Sequence, residues 1–328
     1  GPKDMRPPNP MKEIKQKETT VEDSKKFLDE LCQTLDEEEV SNPLVFKGIN
    51  GQTPLHIAAL CLLTEDFIAL IEKVDPRKLD LGLTIQDNDG CTPLHIAVRY
   101  LSEEAFIALI KKTNSKALGY ALTIQNHHGW TPLDTAACHL SEKPVIELIK
   151  KADEKALGRA LNVQDEDHFT PLHMAARYLS EGAFIALIKT ANARALSDAL
   201  VKQNRYGWTP LHIAMRRQSE KAVIELIKKA SREAISSALP IRNKHGWTPL
   251  DMAIHHVSEK AVTALIKKAD ERAIGAALIV QAKDSFTPLH IAARYLSDKA
   301  FIALIKAWPD SYDYGSRLGK TKCDFSSV

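Results

Sequence analysis

The sequence predicts an all-α solenoid of tandem repeats that are connected by short β-hairpin turns. The tripeptide Thr-Pro-Leu occurs seven times, from Thr53 to Thr287, and every interval between copies is 39 residues. A fixed period of this length is typical of repeat architectures, because each copy is one supersecondary unit that buries its apolar face against the next. Apolar residues at helical spacing follow each copy, which assigns the repeat to helices.

Each repeat is predicted to contain two main helices. The proline of Thr-Pro-Leu opens the first helix, because the N–H that proline lacks has no partner in a first turn. A serine that can act as the N-cap of the second helix recurs in six repeats. These residues are Ser102, Ser141, Ser180, Ser219, Ser258 and Ser297, whereas the first repeat has Leu63 in that position. Lysines at the end of the second helix, such as Lys111-Lys112, complement the helix dipole.

A further Ala-Leu pattern follows the second helix in each repeat, for example at Ala117-Leu118 and Ala121-Leu122. Apolar residues at positions i, i+1, i+4 and i+5 form one stripe on a short helix. We therefore predict a third, short helix per repeat, whose recurring alanines and leucines serve packing. A second binding surface on this segment is the alternative.

These motifs resemble the ankyrin repeat, in which a turn precedes two antiparallel helices and T-P-L-H-x-A opens the first. The resemblance covers residues 48–307, and the period exceeds the usual length of about 33 residues. The predicted repeats are 48–86, 87–125, 126–164, 165–203, 204–242, 243–281 and 282–307. The turns contain glycine in five repeats, whereas His168 and Ser285 replace it in two, where we expect strain or a different shape.

The two ends differ from the repeats. We expect residues 1–11 to be disordered, and Gly1-Pro2 is typical of a protease-cleavage scar. Residues 12–47 contain an amphipathic helix that is predicted to cap the solenoid, with a partner-binding arm as the alternative. The tail, residues 308–328, follows a last repeat that keeps the apolar pattern of internal repeats. Three explanations of this apolar last repeat remain open. The tail packs over it, the sequence is part of a longer protein, or this end contacts another copy of the chain.

The composition argues against several classes of protein. The chain is 44% hydrophobic and 26% charged with a net charge of +2, so it is neither disordered throughout nor a membrane protein. Its five scattered cysteines suggest reduced thiols and a cytoplasmic location. We find no phosphate-binding loop, nucleophile elbow or metal-ligand spacing, and we predict no enzyme activity, no cofactor and no metal.

Two columns of equivalent residues are candidate partner-binding sites. The resemblance implies that the residue before Thr-Pro-Leu projects from the turn, where large aromatic side chains would be binding hot spots. This aromatic column comprises Gln52, Cys91, Trp130, Phe169, Trp208, Trp247 and Phe286. Packing of these side chains on the neighbouring turn is the alternative interpretation.

The second column lies at the end of each first helix, which the resemblance places on the inner, concave face. It comprises Leu60-Cys61, Arg99-Tyr100, Cys138-His139, Arg177-Tyr178, Arg216-Arg217, His255-His256 and Arg294-Tyr295. This groove column contains five arginines, three histidines, three tyrosines and no acid. Arginine pairs bidentately with carboxylate or phosphate, so we predict an acidic or phosphorylated protein segment as the ligand. The alternative is that Arg-Tyr recurs only because these repeats are recent copies of one another.

The predicted function is that of a non-enzymatic adaptor or scaffold for protein partners, without a small-molecule substrate or a membrane. Nucleic-acid binding is disfavoured, because the net charge is near zero and the turn tips 87–89 and 165–167 are acidic. The turn tips 204–206 and 243–245 are basic, so the later repeats should form the more positive half of the groove. Two alternatives are a bacterial effector in the host-cell cytosol and the targeting half of a longer enzyme.

Overall fold

The computed structural model describes residues 19–37, 41–256, 259–279 and 288–307. Within these ranges the chain forms 21 α-helices, two short 3-10 helices and no strand. The prediction of an all-α repeat protein is confirmed, and in the described residues the repeats are joined by turns without strand pairing.

The first helix of each repeat begins at the proline of Thr-Pro-Leu. These helices are α2 (Pro54–Cys61), α5 (Pro93–Tyr100), α8 (Pro132–His139), α11 (Pro171–Tyr178), α14 (Pro210–Arg217), α17 (Pro249–His256) and α20 (Pro288–Tyr295). In α5 the Thr92 hydroxyl accepts a hydrogen bond from the His95 N–H, and the His95 side chain accepts one from the Thr92 N–H. This reciprocal capping box fixes where the helix starts.

The second helices follow after a short connection. They are α3 (Thr64–Lys73), α6 (Glu103–Lys112), α9 (Glu142–Lys151), α12 (Glu181–Thr190), α15 (Glu220–Lys229), α18 (Glu259–Lys268) and α21 (Asp298–Lys306). The predicted serine caps accept from the backbone at Ser102, Ser180, Ser219 and Ser297. Ser141 instead donates its hydroxyl to Glu103 at 3.1 Å, and Ser258 lies outside the described residues.

A third helix is present in each of the first six repeats, as the Ala-Leu pattern predicts. These helices are α4 (Pro76–Gly82), α7 (Ser115–Ala121), α10 (Glu154–Ala160), α13 (Ala193–Leu200), α16 (Arg232–Ala238) and α19 (Glu271–Ile279). Leu118, Leu157 and Leu196 of the pattern are fully buried, so its role in packing is confirmed for these residues. The equivalent segment of the seventh repeat lies outside the described residues.

The chain begins with α1 (Val21–Asp36), followed by η1 (Pro43–Val45) and η2 (Ile49–Gly51). Helix α1 lies against α2 and α3, and its Leu28 and Leu31 are buried. The Ser24 hydroxyl donates to Asp66 on α3 at 2.6 Å and accepts from the Leu63 N–H at 3.0 Å. Helix α1 therefore shields the side of the first repeat that has no preceding repeat. The domain boundaries given above stay predictions.

The contacts divide the chain into two units, residues 6–195 and residues 196–328, which we call the N-terminal unit and the C-terminal unit. Within the N-terminal unit, first helices pack on neighbouring first helices (α2, α5, α8 and α11), and second helices on second helices (α3, α6, α9 and α12). Within the C-terminal unit the same stacking joins α14 to α17 to α20, and α15 to α18 to α21.

The turn before the first helix is closed by an Asp or Asn in repeats two to six. The Asp165 carboxylate accepts from the N–H groups of Asp167 and Phe169, both at 2.9 Å. Four of the predicted turn glycines, Gly90, Gly129, Gly207 and Gly246, have φ between 78° and 84°. His168 has φ 63° and keeps the same turn hydrogen bond, from its N–H to the Asp165 carbonyl. The turn therefore keeps its shape with a residue that disfavours this conformation. Ser285 lies outside the described residues.

The third helices approach each other closely in the N-terminal unit. A Cβ atom built on Gly119 of α7 would lie 2.5 Å from the Cβ of Ala156 on α10. One built on Gly158 would lie 2.7 Å from the Cβ of Ala195. The Asp153 N–H donates to the Ser115 carbonyl at 3.0 Å, which ties α10 to α7 through the backbone.

We expect Gly119→Ala to lower the free energy of unfolding by about 1–3 kcal/mol, because α7 and α10 must separate to admit the methyl group. The matched control is Gly182→Ala, since a Cβ there meets only the end of the flexible, exposed Glu142 side chain. The control should be neutral or stabilising by up to about 1 kcal/mol. Urea unfolding of both variants measures the difference, and equal effects would contradict the proposed close contact.

Candidate functional site: the groove column

Buried histidines build the frame that carries the groove column. His95 is fully buried on α5; its Nδ1 accepts from the Thr92 N–H at 3.0 Å, and its Nε2 bonds the Trp130 carbonyl of the next repeat at 2.8 Å. His212 makes the equivalent bond to the Trp247 carbonyl at 2.8 Å. Burial lowers the pKa of His95 and of His212 to about 4, so both rings are neutral at pH 7. These hydrogen bonds and this burial give both histidines a structural role.

The aromatic column is not the exposed ladder that we expected. Trp130 is 2% exposed, Phe169 is 4% exposed and Trp208 is fully buried. The ring of Trp208 lies 5.7 Å from that of His212, four residues later, and Phe169 packs on His173 at the same distance. Trp208 and Phe169 fold back onto the first turns of their helices, because burial of their large apolar surface is favourable. The expectation that these three side chains project from the turn is therefore wrong, and their role in partner binding stays a prediction.

The other members of the aromatic column differ. Trp247 is partly exposed, and its ring lies 4.8 Å from that of His255. Phe286 lies outside the described residues, so its prediction stays untested. Cys91 is buried, and burial raises the pKa of its thiol to about 12. Only Trp247 of the described aromatic side chains in this column reaches both solvent and the groove column.

In the N-terminal unit the groove column lies at the ends of α5, α8 and α11, which pack side by side. Arg99, Tyr100, His139, Arg177 and Tyr178 are all partly exposed. The Arg177 guanidinium lies 4.9 Å from the Tyr178 ring centroid, and the equivalent Arg99–Tyr100 distance is 5.7 Å. Stacking on tyrosine holds each guanidinium near the surface.

In the C-terminal unit the groove column forms a more compact constellation. His255 stands between two aromatic rings, Trp247 at 4.8 Å and Tyr295 at 4.9 Å. Arg216 lies over the Trp208 ring at 5.7 Å, and Arg294 lies over the Tyr295 ring at 5.6 Å. Trp208 therefore contacts the groove column through Arg216, although its own side chain is buried.

Arg216, Arg217 and His256 form what we call the arginine–histidine cluster. Burial lowers the pKa of His256, and the positive charges of Arg216 and Arg217 lower it further. Arg217 and His256 are exposed, and Arg216 is partly exposed. The cluster is thus an accessible concentration of positive charge beside an aromatic row, Trp247, His255 and Tyr295.

The turn tips contribute less charge than the sequence suggested. Asp87 and Asp165 are 7% and 8% exposed, because their carboxylates close the turns through backbone N–H groups. Burial raises the pKa of Asp165 to about 6. Asn126, Asn204 and Asn243 occupy the same position, so Asp or Asn at this point signals turn closure rather than partner binding.

Other kinds of site find no support within the described residues. No group of three or more histidine, cysteine, aspartate or glutamate side chains is arranged to hold a metal ion there. No helix in those ranges is both long enough and apolar enough to traverse a bilayer.

Stacked helical repeats with a recurring surface column define a repeat solenoid, a class of scaffold that contacts partners through an extended face. A sequence profile described as ankyrin repeats (3 copies) matches residues 22–118, 68–157, 154–234 and 192–274, which together cover more than half of the chain. The chain therefore belongs to the ankyrin-repeat family. Ankyrin repeats are non-catalytic scaffolds that bind protein partners, and the chain is a protein–protein interaction module.

Among solved structures, the chain is similar to the ankyrin repeat domain of Bcl-3, described as a unique member of the IkappaB protein family. The two share 21% sequence identity, with 78% of this chain and 99% of that chain covered, and the TM-score is 0.46. A comparison with curated protein sequences gives no match.

Proposed function

We propose that the protein is an adaptor that binds an acidic or phosphorylated protein segment in the groove column. The observation that carries the proposal is the arginine–histidine cluster of the C-terminal unit, where Arg216 and Arg217 lie close enough to His256 to lower its pKa and where Arg217 and His256 are exposed. Guanidinium groups donate two parallel hydrogen bonds to carboxylate or phosphate, and arginine is enriched at binding hot spots.

The aromatic row beside the cluster supports a peptide ligand. Trp247, His255 and Tyr295 present ring edges and faces next to the charges, so apolar parts of a segment can pack while its acids pair with arginine. The proposal assigns no catalytic step to the chain. It places the protein in a reducing compartment such as the cytosol, since Cys32, Cys61, Cys91 and Cys138 form no disulfide.

Reversing two charges of the cluster tests the proposal. We expect R216E/R217E to weaken binding of a fluorescein-labelled poly-glutamate peptide, measured by fluorescence anisotropy, by at least about 100-fold. The matched control is K221E/K260E, which makes the same change of charge at exposed lysines of α15 and α18. Circular dichroism checks that both variants stay folded. Unchanged affinity in R216E/R217E, or an equal loss in the control, contradicts the site.

Binding should also depend on pH through His256. The pKa of His256 is lowered in the free protein, and an anionic ligand favours its protonated form, so binding takes up a proton. Affinity for the poly-glutamate peptide should therefore rise as the pH falls from about 7 to about 5.5. Because the glutamate side chains of the peptide stay ionised over this range, the change in affinity with pH reflects protonation of the protein. His256→Gln should flatten the profile, and an unchanged slope in that variant contradicts this role.

A further inference from the structure

We propose that the third helices of the N-terminal unit form a docking surface for an anionic lipid bilayer. The surface, which we call the basic edge, consists of Lys111, Lys116, Tyr120, Lys150, Lys155 and Arg159. It is separate from the groove column and does not rest on the proposed function. It replaces the expectation that the protein has no membrane partner, since peripheral docking needs no spanning helix.

The lysine pairs at the ends of the second helices divide into two roles. The second lysine of a pair caps the preceding repeat: Lys112 Nζ donates to the Glu72 carbonyl at 3.1 Å, and Lys151 Nζ to the Lys111 carbonyl at 3.2 Å. The first lysine, Lys111 or Lys150, is exposed and takes no part in this capping. Capping at the helix end therefore accounts for the second lysine of each pair only. The ammonium groups of Lys111 and Lys150 remain exposed to solvent.

The third helices add a second row. On α7, Lys116 and Tyr120 are four residues apart and thus on one face, and both are exposed. On α10, Lys155 and Arg159 occupy the equivalent positions and are also exposed. Leu118 and Leu157 point to the buried side of the same helices. The basic face of each third helix is therefore its solvent face.

Helices α7 and α10 lie side by side, so these rows join into one surface. The Asp153 N–H bonds the Ser115 carbonyl at 3.0 Å, and Gly119 permits close contact with Ala156. Segments 111–121 and 150–160 contain seven lysines or arginines and two acids, although the whole chain has a net charge of only +2. One of those acids, Asp153, accepts the Ala156 N–H as a helix cap.

The side chains within the basic edge favour a bilayer over a nucleic acid. Tyr120 is 58% exposed among the lysines, and Leu81, its equivalent on α4, is 60% exposed. Tyrosine and leucine next to lysine are typical of surfaces that enter the headgroup region, where apolar side chains insert and ammonium groups meet lipid phosphates. Among the described residues, none of the five cations of the basic edge forms an ion pair with a carboxylate, which leaves them available to headgroups.

Vesicle flotation of the full chain tests the proposal. The wild type should float with phosphatidylcholine vesicles that contain about one third phosphatidylserine, and not with pure phosphatidylcholine. Each basic residue near such a surface contributes about fivefold to partitioning, so K116E/K155E/R159E should lower it by at least about 100-fold. Tyr120→Ala should lower it about fivefold without a change of charge, which reports insertion.

The matched control is K25E/K26E/K143E, which reverses three exposed lysines on α1 and α9. It should float like the wild type. Equal loss in the control, or no flotation of the wild type, overturns the proposal. Wild-type binding to a DNA duplex in a gel-shift assay, without binding to anionic vesicles, also overturns it and assigns the basic edge to nucleic acid. Poly-glutamate binding through the groove column should stay unchanged in K116E/K155E/R159E.

Discussion

Trp208→Ala is expected to lower the free energy of unfolding by about 4 kcal/mol, because it removes a large buried side chain and leaves a cavity. Trp208 is fully buried, packs on His212 and lies beneath Arg216. The effect of this substitution should appear first as a loss of stability, measured by urea unfolding and circular dichroism.

Trp247→Ala is the matched comparison, since Trp247 occupies the same position one repeat later and is partly exposed. Its loss should cost only about 1–2 kcal/mol of stability, because less apolar surface leaves the core. Trp247→Ala should also weaken poly-glutamate binding under conditions in which the variant stays folded, since the Trp247 ring lies 4.8 Å from the ring of His255. If Trp208→Ala keeps the wild-type stability and loses binding, the hypothesis of an exposed aromatic ladder is restored.

The second large effect concerns Asp134, which replaces the structural histidine in the third repeat. Its Oδ2 accepts from the Thr131 N–H at 2.9 Å, while its Oδ1 is buried without a hydrogen-bond partner among the described residues. Burial raises the pKa of Asp134 to about 8. The neutral acid is therefore the form that fits this position at pH 7.

This shift makes the stability depend on pH. Because the native state binds more protons at Asp134 than the unfolded state does, stability falls as the pH rises from about 4 to about 8, by at most about 1.4 kcal/mol per unit. Asp134→Asn removes the titration and keeps the size, so the difference between wild type and variant across this range isolates the carboxyl. Parallel profiles would contradict the shifted pKa.

Asp134→His should go further, because histidine supplies an Nε2–H donor in the geometry that His95 shows. We expect a gain of about 1–2 kcal/mol at pH 8 from the restored hydrogen bond and the absent buried charge. The gain should shrink at low pH, since a histidine whose pKa is lowered by burial loses stability as the pH falls below about 6.5. Urea unfolding at pH 8 and at pH 5 measures the gain in stability at each pH.

The sequence predicts the scaffold well because the period repeats the same local chemistry. Thr-Pro starts a helix by its backbone geometry, and the Ala-Leu stripe can bury only one face of a short helix. The sequence holds a further signal: each third helix in the described residues follows an N-cap residue whose side chain accepts a backbone N–H. These residues are Asp75, Asn114, Asp153, Asn192, Ser231 and Asp270.

The candidate sites were harder to predict, because a column of equivalent residues does not reveal which way its side chains turn. Trp208 and Trp247 share one position, yet one is fully buried and the other partly exposed. Trp130 and Trp247 are each followed by an aspartate four residues later, yet only Trp130 is buried, so the adjacent sequence does not reveal the burial either. The groove column is partly or fully exposed throughout, because it lies at the helix ends, beyond the packed alanines.

The close contact at Gly119 has a consequence for how such a protein can change its length. Gly119 and Gly158 let neighbouring third helices touch, whereas the equivalent Ser197 and Ser236 accept the N–H groups of Ser231 and Asp270 at 2.9 Å. The chain thus uses two kinds of joint between repeats. Gain or loss of a whole period preserves the joints when it occurs within one kind. Helix α13 carries both kinds, with Ala195 against Gly158 on one side and Ser197 bonded to Ser231 on the other, so a repeat gained or lost there must preserve both contacts.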